Sequence, residues 1–380
     1  MSFIFRSLQR LHPKHLSTGR EIPSLDGIRG VAVLLVLVDH MSDAGLRIIG
    51  GVDMNRAGRF GVMLFFSLSA FLLTLPFWMR PKETLVQWRT WRDYTLRRFL
   101  RIFPLYAVVL IVTAWNAGDG FNTSDVWRHL LLLDGKRHFW TILVEVKYYL
   151  MLPVIVIGII WTGRQRWWLG LLMLIAGWFA FKAVLPPMEK AWTPNEQLWL
   201  HRYLEVFLLG SVAGSAHAVV IRKNWNLHRA AWVFEALAWI SVFTAILLLP
   251  AVSDVHLGGK RLTGGKSTEI FAVLWSVLIF CQLHGAGLLR RLLESMFLRY
   301  LGFISFSVYL WHRLILNELK GLMIAPPLKM ALFLLGLLVV ASASYLAIER
   351  PLSRLRLFKA APGARSNLSG SETARNESDL

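Results

Sequence analysis

The sequence predicts an all-α polytopic membrane protein, with about ten transmembrane helices and both termini in the cytoplasm. Three observations carry this reading: an apolar composition, apolar runs of membrane-spanning length along the whole chain, and basic residues gathered in alternate loops. Of 380 residues, 55% are hydrophobic and 17% charged, against about 25% charged in an ordinary soluble domain. The mean hydropathy is positive.

The apolar runs fall at 28–45, 59–79, 97–116, 139–161, 167–185, 200–221, 231–250, 268–285, 297–317 and 329–349. Each is close to the roughly 20 residues needed to cross a bilayer. Seventeen Trp residues fit a chain with many segment ends at the headgroup level. Residues 1–24, with apolar and basic positions interleaved and no small-residue cleavage site, read as a cytoplasmic or interfacial segment. The membrane domain spans 25–359, and the polar, aromatic-free tail 360–380 reads as disordered.

Charge sets the orientation. Arg6, Arg10, Lys14 and Arg20 precede the first run, Arg80 to Arg101 fill the second loop, and Arg164, Arg166, Arg222, Lys223, Arg229, Arg290, Arg291, Arg299, Arg354, Arg356 and Lys359 continue the alternation. The opposite loops mix bases with Asp119, Asp125, Asp134, Glu189 and Asp254. The positive-inside rule then places both ends in the cytoplasm. The net charge of +19 comes in these short clusters, so it reads as orientation and attraction to anionic lipid rather than nucleic-acid binding. A single cysteine, Cys281, excludes an internal disulfide, and no His or acidic cluster has metal-ligand spacing.

Ionisable residues inside the runs mark a candidate site, because such groups are costly in a bilayer and rarely face lipid. In LDGIRGVAVLLVLVDH, Arg29 and His40 stand eleven residues apart, three helical turns to within about 20°, and so share one helix face. Asp39 points away from His40, whereas Asp43 is spaced to accept a proton from its imidazole. At about 1.5 Å per residue, His40, Glu145, His312 and Ser69 fall at a similar depth in four helices. The other reading of a membrane histidine is a packed ring bonded to a backbone carbonyl. Arg98 and Arg101, at i and i+3 where the third run begins, suit a multi-phosphate group, or alternatively a positive-inside anchor. Pro104 just beyond them is placed to kink the helix.

The motifs SLDGIRGVAVLLVLVDH, GRFGVMLFFSLSAFLL, RRFLRIFPLY, HFWTILVEVKYYL, YLGFISFSVYLWH and AIERPLS occur in one order over residues 24–355. In this the sequence resembles the acyltransferase-3 family of integral-membrane acyltransferases. The resemblance implies transfer of an acyl group, commonly acetyl, from cytoplasmic acyl-CoA to a hydroxyl on a saccharide or other acceptor at the outer face of the inner (plasma) membrane. It matches the family's R-x10-H motif to Arg29 and His40, its R-x-x-R motif for acyl-CoA to Arg98 and Arg101, and its helix-4 glutamate to Glu145. With nothing resembling a hydrolase domain after the tenth run, the sequence resembles the stand-alone members.

Two positions depart from the family pattern: Ser69-Ala70 replaces Ser-Gly, and an acidic Asp39 precedes the histidine. The methyl of Ala70 narrows a place where glycine would allow close approach, which bears on acyl-chain size.

The chemistry implied is direct. Acyl-CoA held at Arg98 and Arg101 would extend its arm about 15 Å inward, half a bilayer, to the polar layer. Neutral His40 would act as general base on the acceptor hydroxyl. Glu145 would orient the imidazole or bind acceptor, and Arg29 would guide the cofactor arm or pair with a carboxylate. A covalent acyl-enzyme on His40 or Ser69 is a variant. Packing between helices is the alternative for Ser67 and Ser69, and an interface belt is the alternative to acceptor binding for Tyr309 and His312. A transporter or flippase of a lipid-linked glycan would also place charges at mid-depth, although no matched pair of Gly/Pro-broken helices stands in the two halves. A scaffold would need none of these residues.

Overall fold

The structure, a computed structural model, describes residues 22–48, 52–116, 120–163, 166–184, 200–256 and 265–354. The expected tail 360–380 and residues 1–21 of the expected N-terminal segment lie outside them, as do the loop residues Asp119, Arg164, Glu189, Arg356 and Lys359.

Among the described residues the chain is helical, without strands. In order the helices are α1 (Pro23–Asp43), α2 (Ala57–Met79), α3 (Trp88–Trp115), α4 (Thr123–Leu130), α5 (Trp140–Gly163), α6 (Trp167–Val184), α7 (Leu204–Arg222), α8 (Ala231–Leu247), α9 (Pro250–His256), α10 (Gly265–His284), α11 (Leu288–Leu293), α12 (Met296–Phe303), α13 (Ser305–Lys320), α14 (Pro326–Ser344) and α15 (Arg350–Arg354). Every apolar run is helical over most of its described residues. The ninth is broken at Ile304 into α12 and α13. The tenth passes through a π-helical turn at Tyr345–Glu349, whose wider winding re-aims the side chains after it. The short helices α4, α9 and α11 lie outside the runs.

Seven described helical segments are long and apolar enough to cross a membrane. They correspond to α2, α3, α5, α7, α8, α10 and the α14–α15 stretch. The first run fails that test because α1 carries Asp26, Arg29, Asp39 and Asp43, and the ninth because of its break and its charges. Charge is thus concentrated where the site is.

Helix α2 is the centre of the bundle. It packs on α1, α5, α7 and α10, and its apolar residues are buried on most faces. Close approach is made by small residues, as expected where no solvent drives helices together. A Cβ on Gly210 of α7 would collide with the Ser67 carbonyl oxygen of α2, and one on Gly27 of α1 with the Leu293 carbonyl oxygen. Polar pairs join the same helices: Ser67 Oγ lies 3.2 Å from Ser276 Oγ, Thr74 Oγ1 donates to Ser211 Oγ at 3.1 Å, and Trp78 Nε1 donates to Ser215 Oγ at 2.9 Å. Such bonds contribute about 0.6 kcal/mol each on average within a membrane, so they fix helix rotation more than they stabilise.

Ala70 belongs to this packing. It is fully buried, and its Cβ faces the space left by the absent side chain of Gly210. The extra methyl therefore fills a helix contact and does not narrow a cavity, contrary to the expectation for acyl-chain size.

Candidate active site

Among the described residues, two adjoining cavities hold the ionisable groups read from sequence. The first, of about 110 Å³, is bounded by α1, α2, α3, α5 and α13. Helix α3 begins at Trp88, well before the apolar run, so Arg98 and Arg101 stand inside a continuous helix and project from one face. Arg29 reaches the same cavity from α1, and Ser69, Glu145 and Tyr149 complete its polar lining. Glu145 Oε1 accepts hydrogen bonds from Ser69 Oγ at 2.7 Å and Tyr149 OH at 2.5 Å. Arg29 Nη1 donates to Asp26 Oδ1 at 3.4 Å, and the Arg98 Nε is buried with no hydrogen-bond partner among the described residues. Three guanidinium groups thus line a cavity whose one lining carboxylate is already bonded by two hydroxyls. An anion suits this arrangement, since the planar donor fork of arginine matches phosphate.

The second cavity, of about 340 Å³, contains His40. Asp39, Arg59, Arg137, His138, Trp140, Tyr203 and Arg313 also line it. Arg313 Nη1 lies 3.5 Å from His40 Nδ1. A guanidinium only donates, so it faces the lone pair of that nitrogen. The His40 and His312 rings are stacked, with centroids 4.9 Å apart and planes at 20°, and His138 meets His312 edge-on at 4.9 Å. Carbonyl oxygens fix two tautomers, because they only accept: His138 Nε2 donates to Leu310 O at 3.1 Å and His312 Nδ1 to Tyr309 O at 2.6 Å. His138 Nδ1 and His312 Nε2 are left as buried acceptors without a partner among the described residues. Val62 and Tyr309 line both cavities. Tyr309 is pinned by donating to His138 O at 2.8 Å and accepting from Thr141 Oγ1 at 2.8 Å.

The structure therefore divides the residues read from sequence. Arg29, Arg98, Arg101, Ser69 and Glu145 gather in the first cavity, and His40 stands in the second. The single polar layer expected from depth becomes two adjoining chambers. Glu145 bonds Ser69 and Tyr149 and lines the arginine cavity, so it does not orient the His40 ring. Asp43 is exposed at the end of α1, and no hydrogen bond joins it to His40 among the described residues. The acidic Asp39 also finds a reason: its carboxylate accepts the Arg56 backbone N–H at the start of α2, tying the first two helices together where unpaired amides and the helix dipole favour a negative charge.

Arg59, Arg137, His138 and Arg313 were not singled out by sequence. Arg313, directly after His312 inside an apolar run, is an intramembrane charge of the kind that signals a site. Glu349 is a further addition, turned by the π-helical turn to accept from Ser307 Oγ beside the arginine cavity.

Residues 22–349 match the model of a family described as an acyltransferase domain, acyltransferase 3. The chain is 23% identical over 336 residues to the peptidoglycan O-acetyltransferase OatA of Listeria monocytogenes, covering 77% of this chain and 49% of that protein. It is 21% identical over 387 residues to the O-acetyltransferase OatA of Staphylococcus aureus, covering 94% and 60%. A protein of Staphylococcus aureus strain COL, provisionally named an O-acetyltransferase, is 21% identical over 372 residues, covering 87% and 57%. The chain thus spans about half to three fifths of the length of these relatives. No solved structure matches it.

Proposed function

The chain belongs to the acyltransferase 3 family, and from that premise we propose that it is a multi-pass O-acyltransferase of the inner (plasma) membrane. It moves an acyl group, acetyl first, from cytoplasmic acyl-CoA to a hydroxyl of a saccharide acceptor on the outer side. The names of the relatives support acetyl transfer, and that of the Listeria protein supports a cell-wall glycan as acceptor. The observation that carries the reading is the pair of cavities sharing the wall of Val62 and Tyr309, one lined by arginines and the other by histidines.

In this reading Arg98 and Arg101 hold the nucleotide phosphates at the cytoplasmic end of α3, and Arg29 steers the arm past Ser69 and Glu145 toward Tyr309. The acceptor occupies the larger cavity beside His40. His40 takes the hydroxyl proton as the oxygen attacks the thioester carbonyl carbon. The carbon–sulfur bond then breaks, and the same proton passes to the departing CoA sulfur. Donor and acceptor meet at the wall without sharing a compartment, which is what two chambers accomplish and one would not.

The test is transfer of label from radiolabelled acetyl-CoA to a cell-envelope glycan fraction by membranes carrying wild type, His40→Ala, or Arg98→Ala with Arg101→Ala. Label with wild type alone is expected. Equal label from all three would refute the assignment and favour transport of a glycan or small anion.

A further inference from the structure

We propose that Arg313 is the oxyanion donor of the reaction, a second catalytic residue beside His40. The inference rests on the acyl-transfer reading above and deepens it, by naming the group that receives the charge developed on the thioester carbonyl. Acyl transfer to a hydroxyl passes through a tetrahedral intermediate with a negative oxygen, and donors aimed at that oxygen are commonly the largest single contribution to catalysis.

Placement comes first. Tyr309 is part of the wall between the cavities, and Arg313 stands four residues on, one turn along the same face of α13. A helical side chain leans toward the N-terminus of its helix, so the Arg313 stem runs back over the turn that carries Tyr309. The hydroxyls at the wall are already committed: Tyr309 OH donates to the His138 carbonyl at 2.8 Å, and Thr141 Oγ1 donates to Tyr309 OH. Of the other guanidinium groups lining the His40 cavity, Arg59 donates through Nη2 to Thr268 Oγ1 at 2.9 Å, and Arg137 lies over the Phe121 ring, 5.5 Å from its centre. Arg313 is the guanidinium in contact with His40. Asp39 lines the same cavity, but its carboxylate is turned to the Arg56 backbone N–H, and no ion pair ties it to Arg313 among the described residues.

The tautomer of His40 supplies the rest. Because Arg313 Nη1 faces Nδ1, that nitrogen carries the lone pair, and the neutral ring holds its proton on Nε2. The base atom is therefore Nδ1. A contact of 3.5 Å is at the outer limit of a hydrogen bond, so a hydroxyl oxygen can enter between the two groups without breaking a strong one. Once Nδ1 takes the hydroxyl proton it becomes a donor, and two donors cannot face each other. Arg313 thus loses its acceptor in the same step that creates a new one. As the sugar oxygen bonds to the thioester carbon, the carbonyl π pair moves onto the carbonyl oxygen, which accepts the guanidinium N–H bonds. The two oxygens on the tetrahedral carbon are spaced much as those of a carboxylate, the geometry that the donor fork of arginine matches. Collapse restores the carbonyl, breaks the carbon–sulfur bond and passes the Nδ1 proton to the sulfur.

The experiment compares acetyl-CoA with its dithioester analogue, in which sulfur replaces the carbonyl oxygen, as donors to the cell-envelope glycan fraction. Sulfur is the weaker hydrogen-bond acceptor, so an oxyanion donor favours the oxygen compound. Membranes carrying full-length wild type, Arg313→Gln or Arg313→Lys are measured with both. Arg313→Gln should lower kcat with acetyl-CoA by about a hundredfold to a thousandfold, and with the dithioester by about tenfold or less. The preference for oxygen then collapses, while the KM for acetyl-CoA stays near wild type. Arg313→Lys should keep part of both the rate and the preference. Equal losses with the two donors would overturn the proposal and leave Arg313 as a positioning residue for His40; full activity of Arg313→Gln would overturn it too. Should Arg313→Gln fail to fold, Arg313→Lys decides by the same ratio, since a lowered rate with an unchanged preference would refute the oxyanion role. Wild type inert with both donors would remove the acyl-transfer reading and this inference with it, whereas wild-type transfer with equal losses in the variants removes the role of the arginine alone.

Discussion

His40 and His312 lie as parallel plates, 4.9 Å between ring centres and 20° between planes, joining the end of α1 to α13. The two are held differently. His312 is fully buried and fixed through Nδ1 to the Tyr309 carbonyl at 2.6 Å, so it forms the wall against which the His40 ring is oriented. Replacing His312 by Ala removes that wall. Acyl transfer should fall by about tenfold to a hundredfold, the range over which a positioned base contributes, while the KM for acetyl-CoA stays near wild type because the arginine cavity is untouched. Steady-state kinetics with acetyl-CoA varied will check this; a rise in KM with unchanged kcat would contradict it.

Arg98 and Arg101 predict the opposite split. They line the other cavity, away from His40. Loss of one charge-assisted hydrogen bond costs about 1.5–3 kcal/mol. Each single Ala variant should therefore raise KM for acetyl-CoA by about tenfold to a hundredfold and change kcat little. Lysine at either place should restore only part of the affinity, because an ammonium lacks the paired donors of a guanidinium. The comparison needs only the donor titration at saturating acceptor.

Glu145 of α5 ties that helix to α2 through Ser69 and is itself held by Tyr149 one turn along. Ser69→Ala leaves the Tyr149 bond and should cost about 1 kcal/mol. Glu145→Ala leaves both hydroxyls without their acceptor and removes the lining carboxylate that faces the three arginines, so it should destabilise by several times that amount. Thermal unfolding in detergent should rank the two variants in that order. The reverse order would show that Ser69 has a role beyond holding the carboxylate.

Arg56 offers a test by gain. It is exposed, stands at the N-cap of α2, and has φ of 75°, the left-handed region that glycine enters without penalty. Its backbone N–H, which Asp39 accepts, remains in glycine. Arg56→Gly should raise stability by about 1 kcal/mol, and Asp39→Ala should lower it by a similar amount through loss of the bond at the helix start. Both are read as shifts in melting temperature, of opposite sign.

Much of this could be read along the chain, and the division follows from what periodicity encodes. The eleven-residue spacing of Arg29 and His40 and the i, i+3 spacing of Arg98 and Arg101 are properties of a single helix, and both hold in the structure. Glu145 and His40 were matched by counting rise from the ends of two different helices, which supposes straight helices normal to the bilayer; tilt alone shifts such levels by several residues. Counting depth also says nothing about which helices are neighbours. The two cavities are divided by Val62 of α2 and Tyr309 of α13, residues from different helices whose meeting is a fact of packing. Arg137 was hidden for a third reason, since a left-handed turn at a non-glycine residue has no sequence signal.

His129 gives the pH prediction. It lies in α4, between the spans, and both ring nitrogens are used: Nδ1 donates to the Asp125 carbonyl at 2.7 Å and Nε2 accepts the Lys136 backbone N–H at 2.9 Å. The second bond exists only for the neutral ring. Asp125, Asp134 and Lys136 are the charged groups around it, yet burial dominates and pushes the His129 pKa below its usual 6.5. A histidine with a lowered folded pKa binds its proton more readily when the loop is open. Its contribution is therefore complete above about pH 6.5 and is lost as pH falls through the folded value. Lys136 immediately precedes Arg137 and His138 at the second cavity, so the release reaches the cavity proposed to hold the acceptor. Hydrogen exchange at the Lys136 amide, corrected for intrinsic rate, should show protection that declines below pH 6.5, together with a rise in acceptor KM while the KM for acetyl-CoA holds. His129→Phe, which cannot protonate, should show weak protection at every pH. If protection in the wild type were instead flat from pH 7 to 5, the Lys136 bond would not depend on the neutral ring, and acidification would act on the enzyme elsewhere.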